Sequence, residues 1–167
     1  MLLLVGIIGL SVFIYSIRED AARLAAYGYP GIFLLSFLAY ATVLLPAPGL
    51  LIVFAMGSIL NPVGVALAAG AGATLGEFSG YLAGFTGRAV IERSAKYERL
   101  SGWMKKNGPL TILVLSAIPN PVFDIAGMTA GVLKMPVPRF LLWCWIGETI
   151  KMLVLAYGGA SSLRFLL

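Results

Sequence analysis

The sequence predicts an all-α integral membrane protein. It is expected to be an inverted repeat of two re-entrant helical hairpins, each followed by a transmembrane helix, with an additional N-terminal transmembrane helix. Hydrophobic residues make up 60% of the 167 residues and charged residues 11%, against about 45–50% and about 25% in soluble domains. Residues 24–76 carry no charge. Pro-x-Pro sequences interrupt two apolar runs, and the helical pieces beside them are too short to cross a bilayer core of about 30 Å.

Residues 1–17 form the first apolar run. A helix of that length is about 26 Å long, close to the thickness of a bilayer core. No basic residue precedes the run, so we expect a retained transmembrane helix, and a cleaved signal peptide is the alternative. Residues 1–167 are expected to form a single membrane domain. Its predicted segments are 1–17 (N-terminal helix), 30–87 (first repeat), 88–106 (cytoplasmic amphipathic segment) and 107–160 (second repeat).

The first predicted hairpin has Pro46 and Pro48 at its tip. Proline lacks an amide donor and disfavours helix in the residue before it, so the chain turns there. The following arm, residues 49–60, would be a helix of about 18 Å, which is too short to span. It ends at a second proline, and residues 63–87 then form the first predicted span of the repeat.

The second predicted hairpin has Pro119 and Pro121 at its tip. Basic residues lie before and after it, in 88–106 and 134–139, and the positive-inside rule places both groups in the cytoplasm. A re-entrant hairpin keeps them on the same side, whereas a single crossing separates them. The span 140–160 follows. Because one span lies between the hairpins, the second hairpin enters from the opposite face. The N-terminus is expected in the cytoplasm, and the protein in the plasma membrane if its source is prokaryotic.

Several polar residues fall at predicted bilayer depth, where a charged side chain is costly unless it faces protein or water. The candidate pathway residues are Glu77, Asn120, Asp124, Glu148 and Lys151. Alternatives stay open: Glu77 can bond to a hairpin tip, Asp124 can cap a helix, and Asn120 can satisfy freed backbone groups. Lys151 is placed to pair with Glu148 three residues earlier, or else with Glu77 or Asp124.

Two further patterns concern packing and the membrane surface. Small residues at every fourth position from Gly64 to Gly84 predict a smooth face against which another helix packs. Apolar residues among the basic ones in 88–106 predict an amphipathic helix lying on anionic headgroups. Arg88 and Arg139 are expected to attract lipid phosphates at the cytoplasmic mouth of the pathway.

The composition also argues against several functions. The chain has no His and one Cys, and no metal-ligand cluster or nucleophile–base pair is visible. We therefore expect no enzyme, no catalytic residues, no metal and no cofactor. The net charge of +5 is explained by positive-inside loops, so we expect no nucleic-acid partner. Membrane lipids, phospholipid or polyprenyl phosphate, are the expected partners, and a homo-oligomer is compatible with the sequence.

Residues 119–124 (Pro-Asn-Pro-Val-Phe-Asp), followed by Gly127 and Gly131, resemble the core of the DedA superfamily, also called the VTT or SNARE-associated Golgi domain. The segment is most similar to the vacuole membrane protein branch. Residues 76–81 (Gly-Glu-Phe-Ser-Gly-Tyr) resemble the family's Gly-acid-x-x-Gly-Tyr segment. The resemblance implies two facing re-entrant hairpins and lipid movement between leaflets, of undecaprenyl phosphate in bacterial members and of phospholipids in the eukaryotic branch.

The sequence departs from the bacterial pattern. Thr42 stands where the resemblance implies an acid before the first Pro-x-Pro, and Ser116, Val122 and Phe123 stand where arginines are expected around the second tip. Arginine suits lipid phosphates, so these departures favour an energy-independent phospholipid scramblase. One alternative is a proton-coupled translocase of undecaprenyl or another polyprenyl phosphate, which the excess of buried acids over bases leaves open. The other is a membrane assembly or scaffold protein without transport.

Overall fold

The computed structural model describes residues 27–41, 46–87, 95–120 and 122–166, and these ranges form six α-helices. The helices are α1 (Tyr29–Ala41), α2 (Pro46–Ile59), α3 (Pro62–Phe85), α4 (Ala95–Ala117), α5 (Val122–Val132) and α6 (Val137–Leu166). The predicted all-α class is confirmed for this part of the chain. The predicted N-terminal helix 1–17 lies outside the described residues.

The connection from α2 to α3 follows from one Asn-Pro pair. The Asn61 side chain accepts hydrogen bonds from the amides of Val63 (3.0 Å) and Gly64 (3.2 Å). Pro62 stands in the first turn of α3, where its missing amide donor costs nothing and its fixed φ suits a helix. The same preference explains why α2 begins at Pro46 itself rather than at the predicted residue 49.

The second hairpin is shaped by a kink and a tip. Asn107 has non-helical angles (φ −155°, ψ 69°) and divides α4 into a basic first part and an apolar arm that ends at Ala117. At the tip, the Asn120 amide group donates to the carbonyls of Leu115 (2.9 Å) and Ile118 (2.8 Å). Its oxygen accepts from the Val122 amide at the start of α5 (3.0 Å). This side chain therefore holds the turn between α4 and α5 together.

The turn from α5 to α6 is a Schellman motif. The Met135 amide donates to the Ala130 carbonyl (3.0 Å) and the Lys134 amide to the Gly131 carbonyl (2.9 Å). Lys134 takes the left-handed position (φ 53°) that usually belongs to glycine. The Tyr81 hydroxyl of α3 donates to the Met135 carbonyl (2.6 Å) and so ties the turn to the centre of the molecule.

The helices pack in a reciprocal order around α3 and α6, which contact each other. The first arm of each hairpin lies on the long helix that follows it: α1 on α3, and α4 on α6. The second arm lies on the other long helix: α2 on α6, and α5 on α3. Each half of the chain therefore packs one short helix against the long helix of the other half.

Glycines permit these close contacts, but the predicted small-residue face of α3 is not covered by one helix alone. A Cβ at Gly72 or Gly76 would strike the backbone of α1, whereas a Cβ at Gly84 would strike Met128 of α5. A Cβ at Gly80 would meet nothing within 4 Å. Small-residue spacing predicted a packing face, and the tertiary arrangement divides that face between two helices.

The first part of α4 is more deeply packed than predicted. Leu100 and Met104 are buried in a hydrophobic cluster that also contains Phe123 and Phe140, while Trp103 is 60% exposed. The apolar face of the described part of this segment therefore lies against α5 and α6, and its contact with lipid headgroups stays a prediction. Residues 88–94 of the segment lie outside the described residues.

Length and composition distinguish the helices as membrane elements. Among the described helices, one stretch, Val137–Ser161 of α6, is long and apolar enough to cross a membrane. Tyr29–Ala41, Gly49–Ile59 and Val122–Val132 are shorter apolar helices, and the longest of them, with 13 residues, extends about 20 Å. The 24-residue α3 does not meet the same criterion, so its crossing of the membrane stays a prediction.

Candidate functional site

Five side chains from four helices form a buried polar cluster between the two halves of the molecule. They are Tyr40 (α1), Glu77 (α3), Asp124 (α5), and Glu148 and Lys151 (α6). Glu148 is fully buried, and Lys151 and Glu77 are 6% and 7% exposed; Asp124 is half-buried. Apart from Glu77 and Asp124, the helices α1, α3 and α5 carry no charged side chain.

Lys151 is held between a carboxylate and an aromatic ring. Its Nζ lies 2.7 Å from Glu148 Oε1, which confirms the pairing that the three-residue spacing favoured. The same Nζ lies 5.0 Å from the centre of the Tyr40 ring, within the range of a cation–π interaction. Glu148 Oε2 is buried and has no hydrogen-bond partner in the described part of the chain.

Acids outnumber bases in the polar cluster. Glu77 interacts electrostatically with Glu148, Asp124 and Lys151, and Asp124 interacts with Lys151. Three carboxyl groups therefore share one ammonium group. Buried charges are stable only when they are paired or hydrogen-bonded, so the excess carboxyl groups need protons, hydrogen-bond donors or a further cationic group to balance them.

Each half of the chain has a Gly-Glu dipeptide in its long helix, and these dipeptides position the carboxyl groups of Glu77 and Glu148. A Cβ at Gly76 would lie 2.7 Å from the Ala41 amide nitrogen at the end of α1. A Cβ at Gly147 would lie 2.6 Å from the Leu113 carbonyl in α4. In both places the glycine lets the first arm of a hairpin approach, and the following residue, Glu77 or Glu148, is buried.

Asn120 and Asp124 differ from each other in role. The amide nitrogen of Asn120 makes both of its possible donations, and its oxygen accepts from Val122, all to backbone groups. It therefore satisfies the freed backbone, which was one of its two predicted roles. Asp124 stands in the first turn of α5, where its carboxylate can meet the positive end of the helix, so its capping and pathway roles both stay predictions. The Val122 amide at the start of α5 donates to Asn120.

Four of the other predicted residues lie at helix ends or just beyond them. Pro46 and Pro48 stand in the first turn of α2, and Pro119 is exposed just after α4. Arg139 is exposed in the first turn of α6, beside an open cavity of about 280 Å³. Arg88 and Pro121 lie outside the described residues.

Tyr40 was not predicted from the sequence. The α1 sequence is apolar and gives no local sign that this ring faces an ammonium group on α6, because contacts between distant segments leave no spacing pattern. Lys105, which lines the same cavity as Arg139, was not predicted either. In the described ranges, no group of three or more His, Cys, Asp or Glu could hold a metal ion.

Comparison with known proteins gives a family and two partial relatives. Residues 45–161 match the family model of the VTT domain. Vacuole membrane proteins KMS2 and KMS1 of Arabidopsis thaliana are each 45% identical to this chain over 40 residues. That stretch is 24% of this chain and 10% of each relative. No solved structure matches. The family model covers well over half of the chain, which therefore belongs to the VTT-domain (DedA) family of membrane proteins, with partial relatives in the vacuole membrane protein branch.

Proposed function

We propose that this protein moves phospholipids between the leaflets of its membrane without an energy source, as a scramblase. The observation that supports this most strongly is the polar cluster, in which Glu77, Glu148 and Lys151 are buried. Ionisable groups at such depth are costly and mark transport pathways in membrane proteins. The proposal is for a carrier that performs no chemical conversion.

The polar cluster suits a zwitterionic headgroup. The Lys151 ammonium group would attract the phosphate, while the Tyr40 ring and the carboxyl groups of Glu77 and Asp124 would attract the headgroup amine. These contacts would replace part of the hydration that the headgroup loses inside the bilayer. Large apolar side chains are exposed on the outer face of α3, among them Leu67, Leu75 and Leu82, so the acyl chains could stay in lipid.

The proposal includes two re-entrant hairpins related as an inverted repeat. Two short helical arms followed by one long helix occur twice when the second half is counted from the kink of α4 at Asn107, and the reciprocal packing of α2 and α5 supports the symmetry. The short apolar arms extend at most about 21 Å, less than a bilayer core of about 30 Å. We place the basic loops and the N-terminus in the cytoplasm, in the plasma membrane if the source is prokaryotic.

Reconstitution tests the proposal directly. Purified protein in liposomes should equilibrate fluorescent phospholipids between leaflets, measured by chemical bleaching of the outer leaflet. A Glu148→Leu/Lys151→Met double variant and a Glu77→Gln variant should slow the exchange, whereas Glu98→Gln, on an exposed part of α4, should not. The proposal is rejected if the wild-type protein gives no acceleration over protein-free liposomes in several lipid mixtures.

The excess of carboxyl groups over ammonium groups favours a second candidate, a proton-coupled carrier of a polyprenyl phosphate. Such a carrier should respond to a pH gradient across the liposome and should lose that response in Glu77→Gln. Exchange that is unchanged by a gradient argues against it. A scaffold without transport would instead keep its cellular function in Glu77→Gln and Asp124→Asn and lose it when Gly72 is enlarged.

A further inference from the structure

An open cavity lies at the end of α6 where the candidate membrane span begins. Its walls come from the kink of α4, the end of α5, the α5–α6 turn and the first turn of α6. The cavity measures about 280 Å³, and its lining includes Met104, Lys105, Gly108, Leu133, Met135 and Arg139. A volume of this size, just below that of drug-sized ligand pockets, accommodates a headgroup and not a whole lipid.

Local backbone structure fixes the shape of this cavity. The non-helical Asn107 turns the chain just before Gly108, and the Schellman motif fixes the opposite wall at Met135. The hydrogen bond from Tyr81 to the Met135 carbonyl anchors that wall to α3. The cavity is therefore set by hydrogen-bonded backbone and not by mobile side chains alone.

The lining combines two cations with an apolar wall. Lys105 and Arg139 are exposed, no acidic residue lines the cavity, and neither cation pairs with a carboxylate in the described part of the chain. Arginine and lysine are the side chains that bind phosphate groups best. Met104 and Leu133 supply apolar surface beside them.

We propose that this cavity is a binding site for the phosphate of a membrane lipid, in which Lys105 and Arg139 contact the phosphate and the apolar wall contacts the first part of the acyl chains. Two observations favour a lipid: the two cations complement a phosphate charge, and the cavity lies at the start of the candidate span, Val137–Ser161. As the site where a headgroup enters the pathway, the cavity rests on the proposed function; as a lipid site it can be tested alone.

Native mass spectrometry of the full chain in detergent provides the test. Phosphatidic acid and phosphatidylglycerol should be retained, and diacylglycerol, which lacks the phosphate, should not. The Lys105→Gln/Arg139→Gln variant should weaken retention about tenfold or more, because it removes two charged contacts. Lys106→Gln removes a neighbouring exposed charge that does not line the cavity and should retain lipid as the wild type does.

A steric variant separates the cavity from general charge effects. A Cβ at Gly108 would have the Met135 sulfur as its nearest neighbour, at 3.8 Å, so the first carbon of a side chain fits there. The rest of the side chain in Gly108→Leu should occupy the cavity while both cations remain. Gly102→Leu lies on the same helix, where a Cβ meets nothing within 4 Å, and serves as the control. Lipid retention should fall in Gly108→Leu alone.

Three results would overturn the proposal. They are equal retention of diacylglycerol, unchanged retention in both cavity variants, and full displacement of the lipid by millimolar inorganic phosphate, which would assign the site to a soluble anion. Leaflet exchange in liposomes, measured on the same samples, is a separate readout. Exchange without lipid retention rejects the cavity and keeps the scramblase, whereas retention without exchange rejects the scramblase and keeps the cavity.

Discussion

The buried pair of Glu148 and Lys151 gives the sharpest quantitative prediction. Lys151→Met removes an ammonium group that lies 2.7 Å from Glu148 Oε1 and 5.0 Å from the centre of the Tyr40 ring. Glu148 is fully buried and would lose its counter-charge. We therefore expect the free energy of unfolding to fall by about 3–5 kcal/mol, the range measured when one partner of a buried ion pair is removed.

The double variant should behave differently from either single variant. Glu148→Leu alone leaves the ammonium group of Lys151, which is 6% exposed, without its counter-charge. It should lower the free energy of unfolding by about 3 kcal/mol. Glu148→Leu/Lys151→Met replaces both groups by apolar side chains of similar size, and its stability should lie within about 1 kcal/mol of the wild type. The coupling energy between the two positions, the sum of the single effects minus the double effect, should therefore be about 5 kcal/mol or more.

Unfolding in detergent micelles, titrated with sodium dodecyl sulfate and followed by tryptophan fluorescence, measures these energies. Glu98→Leu on exposed α4 is the control and should change stability by less than about 0.5 kcal/mol. If the two single effects add to the double effect within about 0.5 kcal/mol, the pair is not coupled. The account of the polar cluster would then be wrong.

Three further predictions use the same measurement. Gly72→Ala should destabilise the protein by about 1–3 kcal/mol, because the added methyl group overpacks against α1. Gly80→Ala has open space beside it and should stabilise α3 by up to about 1 kcal/mol. A stabilising Gly72→Ala together with a destabilising Gly80→Ala would contradict the packing described. Asn120→Ala loses three hydrogen bonds at the hairpin tip and should cost about 2–3 kcal/mol, more than the roughly 1 kcal/mol expected for the exposed cap in Asn61→Ala. Tyr81→Phe keeps its ring contacts, loses the bond to Met135, and should cost about 1 kcal/mol, with faster amide exchange confined to residues 133–135. Unchanged exchange there would show that the bond does not anchor the turn.

Local chemistry explains which features the sequence determined. Prolines and asparagines placed the helix boundaries, because a missing amide donor or a capping side chain acts on its own turn. The pairing of Lys151 with Glu148 was also accessible, since residues three apart on a helix are neighbours. The family followed from residues 119–124 for the same reason: a short motif is contiguous in the chain.

Tertiary structure decided which neighbour covers each helix face. Helical periodicity put Leu100 and Met104 on one apolar face, but only the tertiary structure shows that α5 and α6 cover that face. The same holds for Gly80, which shares the spacing of its neighbours on α3 and yet touches nothing. Periodicity states which residues lie together on a helix and contains no information about the partner opposite.

The polar cluster and the cavity each combine residues that the sequence identified with residues that only the fold brought together. Composition and motif determined that this is a helical membrane protein of the VTT-domain family with carboxyl groups inside apolar stretches. Only the folded chain brought Tyr40 beneath Lys151 and Lys105 beside Arg139. The physical reason is that charges within one helix interact through fixed local geometry, whereas charges on different helices meet only where the packing of the whole bundle places them.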